Sequence, residues 1–185
     1  MNIQIVTYFS LLFLVSELAL MWAKRSKTKT AKSQADRRSL IVFWMAIPIS
    51  ITFGFMQANF QEWTMQNNLI AYLGLGIMLV GMLVRWKSIM QLKKDFTVDV
   101  AITKTHQLQT GGMYKKMRHP SYLGLLLIGV GLGIAMNSLI SVLVISTAFY
   151  FAIFYRIKVE ENILLNEFCK SYEQYMSKTT KMWPF

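Results

Sequence analysis

All twenty lysines and arginines of the chain fall in three short segments, and the long apolar stretches between them hold none. Residues 24–38 carry seven, residues 85–118 eight and residues 156–181 five. A soluble fold scatters its basic residues, whereas a chain threaded through a bilayer keeps them in the loops of one side, the cytoplasmic one. This segregation also argues against nucleic acid as the reason for the net charge of +11. Only 16% of the residues are charged, against about 25% in a soluble domain. The apolar residues come in uninterrupted runs that a water-soluble core does not need.

Five runs read as membrane helices: residues 3–23, 40–58, 69–84, 122–136 and 139–155. The first closes with Trp22 at the interface; lacking a basic leader and a small-residue cleavage site, it reads as an anchor. Glu17 lies inside it. An ionisable residue at that depth is a functional candidate, although the simpler expectation has it reaching outward to the cytoplasmic interface. Pro48 predicts a kink in the second run, and Gly74, Gly76 and Gly81 in the third allow close helix approach. Gly129, Gly131 and Gly133 echo a glycine-rich nucleotide loop, but no strand precedes them, and Gly129 and Gly133 suit a small-residue helix contact instead.

The fourth and fifth runs are separated only by Asn137 and Ser138, which requires an antiparallel hairpin. Each is shorter than the roughly 20 residues of a full span, so both should extend into their polar flanks. Residues 24–38 read as a polar loop, 59–68 as a short outer loop and 86–119 as a long polar segment. From Arg156 to Ser177 the pattern is that of an amphipathic helix. Ile157, Leu164, Phe168, Tyr172 and Tyr175 recur at helical spacing, with Lys158, Asn166, Glu167 and Lys170 between them. The predicted fold class is all-α and integral to the membrane, one domain over residues 1–185. It has five transmembrane helices, the last two forming a helical hairpin, and a C-terminal amphipathic cytoplasmic helix; the amino terminus lies outside. The single cysteine, Cys169, excludes an intramolecular disulfide.

Candidate chemistry concentrates after the third span. Both histidines, His106 and His119, lie in one cytoplasmic stretch, but two histidines and one distant cysteine fall short of the three or four ligands a metal needs, so no metal is expected. Gly111 and Gly112 permit a loop to fold closely over a ligand. Pro120 suits the first turn of a helix, which sets Arg118 and His119 at its amino end, where free N–H groups and the helix dipole favour a carboxylate or phosphate. Tyr114 and Tyr122 offer aromatic faces to a cation or purine. The same residues also suit a belt at headgroup level, and the two readings stand side by side. Arg156 and Glu160, followed by Glu161, share a helix face. They form either an interfacial ion pair, worth under ~1 kcal/mol when exposed, or part of a site, because the hairpin returns them to the side where Arg118 and His119 begin it.

These residues occur as His106-x-Leu108-x-Thr110-x-Gly112-x-Tyr114, then Arg118-His119-Pro120-Ser121-Tyr122-x-Gly124, then Arg156-x-x-x-Glu160-Glu161-x-x-Leu164-x-x-x-Phe168, with Tyr172, Tyr175 and Pro184 beyond. In that order and spacing, with Asp95-Phe96-Thr97 ahead, they resemble the isoprenylcysteine carboxyl methyltransferase family and, more distantly, membrane phospholipid N-methyltransferases. The resemblance covers the chain from about Asp95 onward. It makes residues 1–86 three N-terminal spans and residues 87–185 the cofactor-binding, catalytic half. It implies S-adenosylmethionine as cofactor, held by His106, Gln107, Leu108, Gln109, Gly112, Tyr114, His119, Pro120, Ser121, Tyr122, Glu160 and Glu161. Arg156, with Glu160 and Arg118, would act on the methyl acceptor. The implied activity is methylation of a carboxylate on a lipid-like or prenylated acceptor. The alternatives are lipid-amine N-methylation, with a glutamate as base, and a non-catalytic membrane protein that binds a small molecule. The compact length points to a multi-pass protein of a bacterial or archaeal plasma membrane in preference to the endoplasmic reticulum, its site on the cytoplasmic side. Two positions depart from the family pattern: Cys169 stands where it has glycine and Lys181 where arginine is usual. Both bear on how the tail docks.

The charge segregation predicts residues 24–38, 87–118 and 157–185 on one side of the membrane and residue 62 on the other. Cysteines introduced singly at positions 30 and 62 should label from opposite sides of sealed vesicles; labelling from the same side removes the five-span topology.

Overall fold

A computed structural model of the protein describes residues 3–23, 34–58, 65, 67–92 and 108–182. His106, Gln107, the Asp95-Phe96-Thr97 segment and most of the expected loops lie outside them. Among the described residues, five α-helices carry the fold: α1 Ile3–Ala23, α2 Gln34–Ala58, α3 Asn68–Leu92, α4 Pro120–Ala135 and α5 Leu139–Lys178. A single 3-10 turn, Gly112–Lys115, precedes α4. Among the described residues the extended backbone amounts to one isolated parallel bridge, Met117 with Thr180.

Three helical segments, Asp36–Ala58, Asn68–Leu92 and Leu139–Lys178, are long and apolar enough to cross a membrane; α1 and α4 contribute the shorter apolar stretches Gln4–Leu20 and Pro120–Ala135. At 1.5 Å per residue, the part of α5 ahead of Cys169 measures roughly 45 Å, longer than the ~30 Å of a hydrocarbon core. Its apolar first half therefore fills a span, and the part beyond Tyr155 projects out of it. Large apolar side chains face outward on the long helices, among them Leu11, Val15, Ile41, Ile49, Leu83 and Phe151. Such a belt is unfavourable in water and fits contact with lipid tails.

α4 is the central strut, packed on α3 along one side and on α5 along the other; α2 packs on α5, and α1 touches α4. Leu125, Ile128 and Leu132 of α4 are fully buried. In lipid there is little hydrophobic drive between helices, so close backbone approach supplies much of the attraction. The α3–α4 seam is built that way. A Cβ at Gly74 would come within 2.4 Å of the Ala135 nitrogen, and one at Gly81 within 2.6 Å of the Gly124 carbonyl oxygen. Gly129 and Gly133 serve the other side, against the Phe149 ring and the Val142 backbone of α5. The expected small-residue contacts are thus present, with one correction. Nothing lies within 4 Å of a Cβ at Gly76, which faces away from the seam.

The two-residue hairpin follows from its capping. Asn137 adopts a positive φ of 57° just past the end of α4, and Ser138 caps α5 by accepting from the Ser141 amide. Helix boundaries differ from the sequence expectation wherever polar residues extend a helix beyond its apolar run. α2 begins at Gln34 inside the expected loop and continues through Pro48, and α3 runs on to Leu92 through the expected polar segment. The amphipathic tail is helical as expected, in two pieces divided by a kink at Cys169. It continues α5, with Ile157, Tyr172 and Tyr175 buried as its stripe requires and Lys158, Glu167 and Lys170 exposed. Helical conformation is interrupted at Cys169, with φ 44° and ψ −122°.

That geometry is accessible to glycine and strained for any side chain, a physical reason for glycine in the family pattern at this position. Cys169→Gly should stabilise the protein by about 1 kcal/mol, the low end of such strain, seen as a raised unfolding midpoint in detergent. An unchanged or lowered midpoint would mean that the kink stores no strain.

Candidate functional site at the polar ends of the helices

The first turn of α4 gathers the candidate residues. Pro120 occupies the first helical position and His119 the N-cap, as the sequence predicts, because proline lacks the N–H that a first turn leaves unused. The amides of the two residues ahead of Pro120 are taken, however. The Arg118 amide donates to the Thr180 carbonyl and the His119 amide to the Lys181 carbonyl, each at 2.9 Å. The chain end thus folds back along the segment that leads into α4, and Met182 is fully buried in the core.

Arg118, His119 and Glu161 form one buried group. Arg118 Nε donates to Glu161 Oε1 at 2.8 Å, His119 Nε2 lies 3.3 Å from the same oxygen, and Lys181 Nζ is 3.6 Å from the other. Burial by itself would raise the Glu161 carboxyl, but the hydrogen bonds from His119 and Arg118 outweigh it and hold the group at about 2. Arg118 Nη1 also donates to the carbonyls of Met176 (3.2 Å) and Thr179. Arg118 therefore clamps the tail to the hairpin.

A second group lies on the membrane side of the first. The Tyr122 hydroxyl donates to Glu160 Oε2 at 2.9 Å, and His119 packs against the Tyr122 ring with centroids 5.7 Å apart. Arg156 is buried, 2% exposed, and its Nη1 donates to Asp36 Oδ1 at 2.5 Å and to Ser39 Oγ at 2.7 Å. Beside its helix-face neighbour Glu160, Arg156 thus has a buried bond to α2, since a guanidinium withdrawn from water needs a carboxylate withdrawn with it.

Glu17 likewise departs from expectation. It does not reach outward but is buried, pairing with Arg85 through two short bonds of 2.5 and 2.6 Å. Arg85 Nη1 lies 3.4 Å from the Ser121 carbonyl and so ties α1 and α3 to the first turn of α4. Sequence reasoning passed over Asp36, Ser39 and Arg85 because each sits beside a basic or polar run that reads as loop. The available signal was their helical phase: Asp36 and Ser39 lie three apart on one face of α2.

The turn before α4 holds the remaining candidates. Gly112 has φ 60°, and a Cβ there would meet the Gln91 side chain at 2.6 Å, so glycine is required. Gly111 is in extended conformation and has no such need. Gln91 Oε1 accepts from the Met113 amide at 3.1 Å, while the Tyr114 carbonyl accepts from the Tyr175 hydroxyl at 2.6 Å. Burial pushes the Tyr114 hydroxyl well above its ordinary range, keeping it a neutral donor to the Ser88 carbonyl. Leu108 and Gln109 are half-buried on the approach. No three His, Cys, Asp or Glu side chains among the described residues are grouped to hold a metal.

An apolar cavity of about 220 Å³ opens between α1 and α2, lined by Phe13, Leu14, Phe43, Trp44, Ile47 and Pro48, with Glu17 also in its wall. Phe43 connects it to the polar groups, its ring edge-on to Tyr122 at 6.5 Å between centroids.

A sequence model of the isoprenylcysteine carboxyl methyltransferase (ICMT) family matches residues 73–166, just over half of the chain. Over 106 residues the chain is 34% identical to the protein-S-isoprenylcysteine O-methyltransferase of Schizosaccharomyces pombe, covering 56% of this chain and 45% of that protein. It is 29% identical over 118 residues to the probable protein-S-isoprenylcysteine O-methyltransferase of Oryza sativa subsp. indica, covering 63% and 62%. For protein-S-isoprenylcysteine O-methyltransferase B of Arabidopsis thaliana the figures are 30% over 127 residues, 68% and 62%. The matches thus span less than two thirds of the length of these relatives. Among solved structures, the eukaryotic intramembrane Ras methyltransferase ICMT superposes with a TM-score of 0.61 at 22% identity, over 85% of this chain and 55% of that one, a likeness of fold. The motifs that frame α4 and the start of the tail lie within the matched segment, and the chain belongs to the isoprenylcysteine carboxyl methyltransferase family.

Proposed function

We propose that this chain is a membrane-embedded S-adenosylmethionine-dependent methyltransferase that esterifies a carboxylate on a lipid-like or prenylated acceptor. The observation that carries the reading is the junction at Phe43, which lines an apolar cavity between two membrane helices and stands edge-on to Tyr122, itself bonded to Glu160. An acceptor with an apolar tail and an anionic head matches that division. The names of the relatives, protein-S-isoprenylcysteine O-methyltransferases, support the same chemistry. We read all five helices as crossing the membrane, with the site at its cytoplasmic face beside the basic segments.

The residues present suit the cofactor. Glu160 offers a half-buried carboxylate to an ammonium, and His119 and Tyr122 offer ring faces beside it. The buried Tyr172 hydroxyl, which has no hydrogen-bond partner among the described residues, adds a donor near them. When bound, S-adenosylmethionine supplies the sulfonium methyl that a carboxylate oxygen takes up. The chain's own contribution is alignment. The acceptor is already anionic at neutral pH and needs no base, so Arg156 acts by pairing with it, and the surrounding apolar helices exclude water.

Alanine at His119, Tyr122 or Glu160 should weaken S-adenosylmethionine binding by about tenfold each, the worth of roughly one hydrogen bond to a charged group. Unchanged affinity by calorimetry in all three variants rejects this cofactor site. Arg156→Lys keeps the charge but loses the planar fork. It should bind cofactor nearly normally and lose methyl transfer on the order of 10²-fold, the scale of a small misplacement at a reacting centre. The assay is transfer of labelled methyl to a prenylcysteine, with a base-labile product identifying the ester. Full activity in Arg156→Lys, with a base-stable product, selects amine methylation, for which Glu160 is the available base.

A further inference from the structure

The family match begins at residue 73, so α1 and α2 lie wholly ahead of it. Yet the contact that orients Arg156 comes from α2. Asp36 stands in the first turn of that helix, where a negative charge suits the helix dipole, and it is 1% exposed. Its Oδ1 and the Ser39 hydroxyl, 2.5 and 2.7 Å away, both accept from the same amino group of Arg156, with the Asp36 carbonyl at 3.4 Å. Ser39 is held in turn by donating its own proton to that carbonyl at 2.8 Å. A guanidinium is planar, so fixing one amino group between two acceptors fixes the plane of the whole fork.

The other Asp36 oxygen, Oδ2, is buried with no hydrogen-bond partner among the described residues. Such an arrangement is costly unless the carboxylate serves its partner, because an apolar pair of the same shape would avoid desolvating either charge. Another acidic residue ahead of the match, Glu17, behaves in parallel by holding Arg85.

We propose that Asp36, seconded by Ser39, is a positioning residue for methyl transfer: placed against Arg156 by the packing of α2 on α5, it sets the plane in which Arg156 receives the acceptor carboxylate. This rests on the carboxylate-acceptor reading above. α2 is then part of the site, although the segment that identifies the family does not include it.

The test uses the full chain in lipid nanodiscs, with N-acetyl-S-farnesylcysteine as acceptor probe. Asp36→Asn keeps the shape of the side chain and removes its charge. It should lower kcat by on the order of 10²-fold. The acceptor KM should not rise, because Arg156 keeps its charge and loses a competing anion. In an Arg156→Lys background Asp36→Asn should cause no further loss, since its effect travels through the fork. An unchanged kcat in Asp36→Asn, or losses that multiply in the double variant, overturns the proposal. Should Asp36→Asn fail to fold, Ser39→Ala carries the same comparison, with a several-fold fall in kcat expected that vanishes beside Arg156→Lys; no fall, or a multiplying one, is the overturning result. Full activity of Arg156→Lys alone overturns the carboxylate-acceptor reading, whereas an impaired Arg156→Lys with independent Asp36 effects overturns only the role given to Asp36.

Discussion

A guanidinium withdrawn from water must bring a carboxylate with it, and three such pairs organise this molecule: Arg85 with Glu17, Arg118 with Glu161 and Arg156 with Asp36. Each joins segments that are remote in the chain, and each is nearly sealed from solvent. Breaking one such pair by removing a single partner typically costs about 3–5 kcal/mol, because the remaining charge is stranded. The pairs therefore specify arrangement more than they add stability. Slippage of α1 along α3, or of α2 along α5, would uncouple a charge in an apolar setting.

Between the paired charges the helices approach as closely as backbones allow. The glycines of α3 and α4 bring main chain against main chain, and those of α4 that face α5 admit the Phe149 ring and the Val142 backbone. This makes α4 a rigid post. Its polar end carries His119, Pro120, Ser121 and Tyr122, so the candidate site inherits its geometry from these close helix contacts.

The long fifth helix extends this logic beyond the apolar layer. Past the kink at Cys169 the chain returns to lie along the segment before α4, and Arg118 closes that return by bonding to both Glu161 and the carbonyls at the end of the helix. The amides of Arg118 and His119, which an isolated helix start would offer to an anion, are spent on the returning tail. Arg156 and Tyr122, the ring neighbour of Phe43 in the cavity wall, share proximity to Glu160.

Local sequence features already imply the membrane class, the helical architecture of the described residues, the tight hairpin, Pro120 at a helix start and the motif residues about it. Each of these depends on local facts: hydrophobicity summed over about twenty residues, capping chemistry at Asn137, Ser138 and Pro120, and spacing within a single segment. The helix ends were less legible, because Gln34–Arg38 and Trp86–Leu92 are polar stretches that remain helical once neighbours cover one face. The partners of the buried charges could not be read at all. Glu17 and Arg85 are 68 residues apart and Asp36 and Arg156 are 120 apart, and no local pattern states which helix faces which. Only the crossing of α1 with α4 and α3, and of α2 with α5, decided that an apparent interface glutamate and an apparent loop aspartate would become the counterions of two arginines. In a low-dielectric interior a charge is stable only beside its opposite, and where that opposite stands is a property of tertiary packing.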